Sequence, residues 1–208
     1  MKIYKLMPLS VCATNSFIVE TENKNALLID APDDAEYILS KLEQYELTLK
    51  KILLTHGHCD HTAAAEDLRE KTGAEVYIHE NDAAMLKGSP DNLAMYIIGQ
   101  QCRQVKAFIP VKNGDKITLD ELELEVMHTP GHTKGSVCYV CENTIFSGDT
   151  LFCGSVGRID FPGGSRAEQR NSLKLLKELK GDYHLLSGHG EDSTLDFERK
   201  TNMYLQVD

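Results

Sequence analysis

The sequence predicts an α+β domain in which two β-sheets lie face to face with helices outside, a four-layered αββα sandwich. Three observations lead there. Short apolar or alternating runs follow one another and then give way to amphipathic stretches. That succession of strands then helices occurs twice, without a detectable sequence repeat. No tract rich in Pro, Gly or Ser divides the 208 residues into separate units. Sheets with apolar faces and helices with apolar stripes bury all these surfaces when they stack in layers. A chain of this length can bury one substantial core, so a single domain spanning 1–208 is expected.

Taken in order, Ile3 to Met7, Asn15 to Glu20 and Ala26 to Asp30 read as antiparallel strands separated by turn residues. Asp33 with Glu36 three residues on imitates a capping box, and Ile38, Leu39, Leu42 and Tyr45 give the first helix an apolar stripe to about Tyr45. Lys51 to Leu54 is a buried strand. Thr62 is placed to cap a helix over Ala63 to Lys71 that ends near Gly73. Ala74 to Ile78 follows as a strand and Asn81 to Leu86 as a short helix. Gly88 to Phe108 has no clean period: it reads either as a functional loop beside a site or as a poorly patterned helix with its connections. A second run of strands covers Lys116 to Leu119, Leu122 to His128, Ser136 to Cys141 and Thr144 to Ser147. Ser165 and Glu168 form an S-x-x-E box for a helix to about Lys180, with Leu175, Leu176 and Leu179 on one side. Tyr183 to Ser187 is the last strand, and Ser193 with Asp196 opens a terminal helix reaching about Val207.

Charge and composition exclude several classes. Lys plus Arg number 22 against 32 Asp plus Glu, a formal net charge of −10, which opposes binding to phosphate backbones and argues against a nucleic-acid partner. No apolar run approaches the roughly 20 residues that span a bilayer, and the start M-K-I-Y-K-L-M-P lacks an export signal, so no membrane association and a cytoplasmic location are expected. The six cysteines are scattered, as in a chain of reduced thiols. Cys138 and Cys141 form a C-x-x-C, but three residues apart on a strand they face opposite sides, which argues against a redox or zinc pair.

The chemistry concentrates in Lys51 to Thr62, K-I-L-L-T-H-G-H-C-D-H-T, where His56, His58, Asp60 and His61 follow the buried strand. Imidazole and carboxylate suit a borderline cation such as zinc. In an extended backbone His56 and His58, two apart, point to the same side, whereas adjacent Asp60 and His61 diverge, so the four suit two neighbouring ions better than one. Cys59 reads as small buried filler. Three later segments also place a ligand type just beyond an apolar strand: His132 in T-P-G-H-T-K-G, Asp149 in I-F-S-G-D-T and His189 in L-L-S-G-H-G, where flanking glycines let the backbone pass close to an ion. His79 and His184 read as structural, and His128 as a hydrogen-bonding neighbour of the site.

H-x-H-x-D-H with these three segments in this order resembles the metallo-β-lactamase superfamily. The resemblance implies two mixed sheets in the αββα arrangement. It assigns His56, His58 and His132 to one divalent ion and Asp60, His61 and His189 to a second, with Asp149 bridging them. The ions would be zinc, with iron or manganese as alternatives, and Asp60 and Asp149 would be the catalytic carboxylates around a metal-activated water. Two such ions lower the pKa of a shared water toward neutrality and stabilise a developing oxyanion, so hydrolysis follows without a Ser or Cys nucleophile. Phe146 to Ser165, F-S-G-D-T-L-F-C-G-S-V-G-R-I-D-F-P-G-G-S, resembles the glyoxalase II branch, the hydroxyacylglutathione hydrolases, and most closely their single-domain bacterial type. This implies a small-molecule thioester substrate such as S-lactoylglutathione, without the added C-terminal helical domain that completes the glutathione pocket in longer members. Arg158 falls where that branch has a substrate-contacting basic residue, and reads equally as half of a surface ion pair. Competing expectations within the same fold are an iron-dependent persulfide dioxygenase, a lactonase or β-lactamase, and a non-enzymatic metal-binding module.

Overall fold

The computed structural model describes residues 1–7, 9–10 and 12–206. The expected end of the last helix near Val207 lies outside the described residues. Among the described residues, fourteen short strands form two six-stranded sheets and a small hairpin. The first sheet sets β1 (Lys2–Lys5), β2 (Phe17–Glu20), β3 (Asn25–Ile29), β4 (Thr48–Leu53), β5 (Glu75–His79) and β6 (Ile109–Val111) side by side in chain order. It is antiparallel through β3 and parallel from there on. The second contains β7 (Lys116–Leu119), β8 (Leu122–His128), β9 (Val137–Cys141) and β10 (Thr144–Gly148), followed in sequence by the separate hairpin β11 (Leu151–Phe152) and β12 (Ser155–Val156). β13 (His184–Ser187) and β14 (Ser193–Thr194) complete this sheet, with β13 parallel to β10 and every other pairing antiparallel. Both sheets are therefore mixed.

Three apolar layers hold the sandwich together. Phe17, Val19, Leu27, Ile29 and Leu53 of the first sheet meet Leu124, Val126, Val137, Tyr139 and Phe146 of the second. Behind the first sheet, Ile18, Leu28 and Ile52 pack on Ile38 and Leu42 of α1 (Ala35–Gln44) and Leu68 of α3 (Ala65–Thr72), the helix that follows the single turn α2 (Cys59–Thr62). Two further single-turn helices, α4 (Ala83–Leu86) and α5 (Ala94–Ile97), come before the second sheet. Behind that sheet, Cys138, Ile145 and Leu185 pack on Leu173 and Leu176 of α6 (Arg166–Glu178), Leu195 of α7 (Leu195–Thr201) and Leu205 of α8 (Met203–Gln206). Each large apolar side chain sealed in these layers is worth roughly 1.5 to 3 kcal/mol. Cys138 and Cys141 fall in different layers, as their spacing on one strand requires. The sheets are stitched at the end of β4, where the Tyr139 hydroxyl donates to the Leu54 carbonyl at 2.9 Å and the Val137 N–H to the Thr55 carbonyl at 2.9 Å.

Several boundaries differ from the sequence reading. Asp34, not Asp33, caps α1: it sits at φ 49°, accepts from the Tyr37 N–H, and is itself held by the Asp33 side chain. Thr62 caps nothing; it closes α2, and its hydroxyl donates to the His58 carbonyl. Ser165 caps α6 by accepting from the Glu168 N–H, but its own N–H goes to the Gly131 carbonyl, so only half of the box forms. Leu175 is 43% exposed, and the buried stripe of α6 runs instead through Gln169, Ser172, Leu173 and Leu176. Thr194 rather than Ser193 caps α7. β6 and the β11–β12 hairpin had no sequence signal; β6 is three residues with a central proline on an edge, where a missing N–H is tolerated.

Candidate metal centre

The site lies where the C-terminal ends of strands from both sheets meet. β4 of the first sheet delivers His56 and His58 on an extended turn, and α2 then carries Asp60 and His61. β8, β10 and β13 of the second sheet deliver His132, Asp149 and His189 on the loops that follow them. Ligand-type atoms of His56, His58 and His132 lie within 4.8 Å of one another, as do those of His56, His61 and Asp149, and those of Asp60, His61 and His189. All seven expected ligands thus converge on one cleft. The approach is close enough to demand glycine at 188, where a Cβ would stand 2.4 Å from Asp149 Oδ1 and 2.7 Å from the His61 ring.

Hydrogen bonds fix how the imidazoles face. His132 Nδ1 donates to the Arg158 carbonyl at 2.7 Å and His189 Nδ1 to the Cys12 carbonyl at 3.1 Å; a carbonyl oxygen only accepts, so both Nδ1 atoms carry the proton. His61 Nδ1 bonds Asp30 Oδ2 at 2.8 Å, and Asp30 also takes the N–H and hydroxyl of Thr55. The Nε2 atoms of these three rings are left pointing into the cleft, the orientation metal-binding imidazoles adopt. His61 Nε2 faces His189 Nε2 at 3.3 Å, and His132 Nε2 faces His58 Nδ1 at 2.9 Å. Asp149 lies between the groups, Oδ1 3.3 Å from His61 Nε2 and Oδ2 3.5 and 3.4 Å from the Nε2 atoms of His132 and His189. Among the described residues, buried His56 Nε2, His58 Nε2 and Asp149 Oδ1 have no hydrogen-bond partner. Converging nitrogen lone pairs, carboxylates and unsatisfied buried atoms form a donor set that fits divalent cations.

The electrostatics agree. Burial, reinforced by neighbouring histidines, holds His56 well below its usual pKa and pushes His58 down to about 3, so both rings stay neutral, the form that binds metal. Burial would also lower His61, but Asp149, Asp30 and Asp60 outweigh it and hold the ring well above its usual value. For Asp149 burial opposes ionisation, yet His61, His189 and His132 keep the carboxylate well below its usual range. The cleft therefore favours positive charge between these groups.

Other candidates separate cleanly. His79 and His128 stack on each other at 4.0 Å outside the cleft, and His128 Nε2 bonds the Lys134 carbonyl at 2.9 Å, bracing the loop that carries His132. His184 is exposed in β13, and Cys59 is buried. Arg158 makes two 2.7 Å bonds to Asp160 and stacks over Phe161, whose ring meets His58 edge-on at 5.9 Å. Within Gly88 to Phe108 the chain forms only short turns, and Ile98, Gln100, Gln101 and Cys102 share a cavity wall with Cys59 and Asp60. Sequence reasoning missed Asp30, although A-L-L-I-D carries the same apolar-run-then-Asp signature that singled out Asp149.

A profile of the metallo-beta-lactamase superfamily matches residues 9–189. The chain belongs to the metallo-β-lactamase superfamily. This superfamily member is 31% identical to hydroxyacylglutathione hydrolase GloC of Haemophilus influenzae over 97% of each chain. Its fold superposes on the solved structure of the B3 metallo-beta-lactamase BLEG-1 with a TM-score of 0.91 at 32% identity, covering 99% of this chain and 100% of that one. It superposes on a di-iron-bound form of TTHA1623 with a TM-score of 0.86 at 34% identity, covering 97% and 100%. No helix among the described residues is long and apolar enough to cross a membrane.

Proposed function

We propose that this metallo-hydrolase cleaves a small-molecule thioester, with S-lactoylglutathione as the representative substrate, in a centre that holds two divalent ions, zinc first among them. The observation that carries the reading is Asp149, a buried carboxylate whose two oxygens reach His61 on one side and His132 and His189 on the other, so that one residue joins both histidine groups. His56, His58 and His132 would hold one ion and Asp60, His61 and His189 the other, leaving coordination positions open as catalytic rather than structural sites do. Bound there, the ions would supply an activated water and polarise the substrate carbonyl.

The chain's own residues do the rest. Asp30, the Arg158 carbonyl and the Cys12 carbonyl set the imidazole tautomers before substrate arrives. Asp60, which receives the Thr14 hydroxyl at 3.3 Å and lies 3.6 Å from His189 Nε2, would take a proton from the attacking water. A thiolate leaves without a strong general acid, and the reading requires none. Similarity to a hydroxyacylglutathione hydrolase along almost the whole of both chains supports the thioester class. Arg158 and the aromatic face of Phe161 would receive the distal part of the substrate beside His58.

The test is metal content of the purified protein together with turnover. Two ions and S-lactoylglutathione hydrolysis are expected. One iron with oxygen uptake on glutathione persulfide would replace this reading with the dioxygenase.

A further inference from the structure

Asp82 is fully buried and lies at the end of a 3₁₀ turn before α4. Its carboxylate collects three donors from two distant loops. Oδ2 accepts the Gly57 N–H at 3.0 Å and the Thr133 hydroxyl at 2.7 Å, and Oδ1 accepts the Gly135 N–H at 2.8 Å. Gly57 lies between His56 and His58; Thr133 and Gly135 follow His132. One side chain therefore grips both segments that present the first histidine group. The Gly57 segment runs on into α2, which carries Asp60 and His61, but there Asp30 bonds His61 Nδ1 independently of Asp82, and neither gripped segment supplies His189.

The fit around Asp82 is tight. A Cβ on residue 135 would stand 2.6 Å from the Asp82 carboxyl carbon and 2.7 Å from its backbone nitrogen, and a Cβ on residue 57 would strike Met85, three residues further along. Only glycine lets each loop approach closely enough to donate its N–H. A carboxylate with three donors, two of them backbone, is a rigid brace: charge-assisted bonds are short and directional, and burial removes competing water.

We propose that Asp82 is a positioning residue for one metal site, holding His56, His58 and His132 in register by tying Gly57 to Thr133 and Gly135. It rests on the two-ion reading, and it predicts an asymmetry that support of the fold as a whole would not produce. Removing a carboxylate that positions ligands costs tenfold to a hundredfold in metal affinity, and here the loss is confined to one group.

The experiment titrates the metal-free full chain with zinc against a competing chelator, in two backgrounds that each leave one group intact. His189→Ala keeps the first group and His58→Ala keeps the second. Asp82→Asn, nearly isosteric but bringing an N–H₂ against the loop donors, should weaken zinc binding tenfold to a hundredfold in the His189→Ala background and less than about twofold in the His58→Ala background. Equal losses in both, or no loss in the first, overturn the proposal. Should Asp82→Asn fail to fold, Thr133→Val removes one of the three bonds and must show the same preference at smaller size; without that preference the proposal falls. A parent protein that binds fewer than two zinc ions instead overturns the two-ion reading, so the two failures are distinguishable.

Discussion

The guanidinium of Arg158 lies over the face of Phe161, its carbon 3.9 Å from the ring centroid, while Asp160 holds it from the side through two 2.7 Å bonds. The side chain is thus preoriented, but its charge is already partnered. Arg158→Ala is expected to raise KM for S-lactoylglutathione about tenfold with little change in kcat, and to leave a small uncharged thioester unaffected. Asp160→Asn, which frees the guanidinium, should lower KM for the anionic substrate. Steady-state kinetics on both thioesters decide it: equal losses on the two would mean that Arg158 supports the site and does not read the substrate.

Asp149 touches both histidine groups, whereas His58 belongs to one. Asp149→Ala and His58→Ala should each abolish turnover, and Asp149→Ala should strip more metal on dialysis. Two tightly held ions in Asp149→Ala would refute the bridging role.

Asp30 receives His61 Nδ1 and both donors of Thr55. Asp30→Asn should cost tenfold to a hundredfold in affinity for the ion held by His61, and roughly 1 to 3 kcal/mol of stability from unsatisfied buried donors. Chelator competition and denaturant melts measure the two effects separately. An unchanged affinity would mean that His61 keeps its orientation without Asp30.

Burial, and then stacked His128, pushes His79 down from 6.5 to about 4. Its folded form resists protonation while the unfolded chain accepts a proton, so stability is lost as pH falls from 6.5 toward 4. At about pH 5.5 the loss should be roughly 1 kcal/mol. His79→Phe, which keeps an aromatic ring against His128, should show a correspondingly shallower decline in metal-free denaturation between about pH 7.5 and 5.5. Parallel pH profiles for the two proteins would rule out the contribution.

What was legible followed from local rules. β7 and β8 begin and end where alternation and turn residues place them, and the seven cleft residues were visible because each follows an apolar strand. What was hidden depends on partners remote in sequence. α2 forms because the His61 carbonyl is captured by the Ala31 N–H at 2.8 Å, and Ala31 in turn receives the Ala64 N–H, so Thr62 ends inside a turn that its own neighbours do not announce. The cap of α1 shifted by one residue because Asp34 tolerates a left-handed backbone. Asp82 left no trace in the sequence, since its partners are two backbone amides and a hydroxyl brought up by distant loops.

The origin of the cleft residues has a mechanical consequence. His56, His58, Asp60 and His61 hang from the first sheet, and His132, Asp149 and His189 from the second. Each proposed ion would be gripped from both sides, by His56 and His58 against His132, and by Asp60 and His61 against His189. Any cation held that way would act as a rivet through the sandwich. It would resist shear between the two halves of the chain, beside the Val137–Thr55 and Tyr139–Leu54 hydrogen bonds that already join the sheets there.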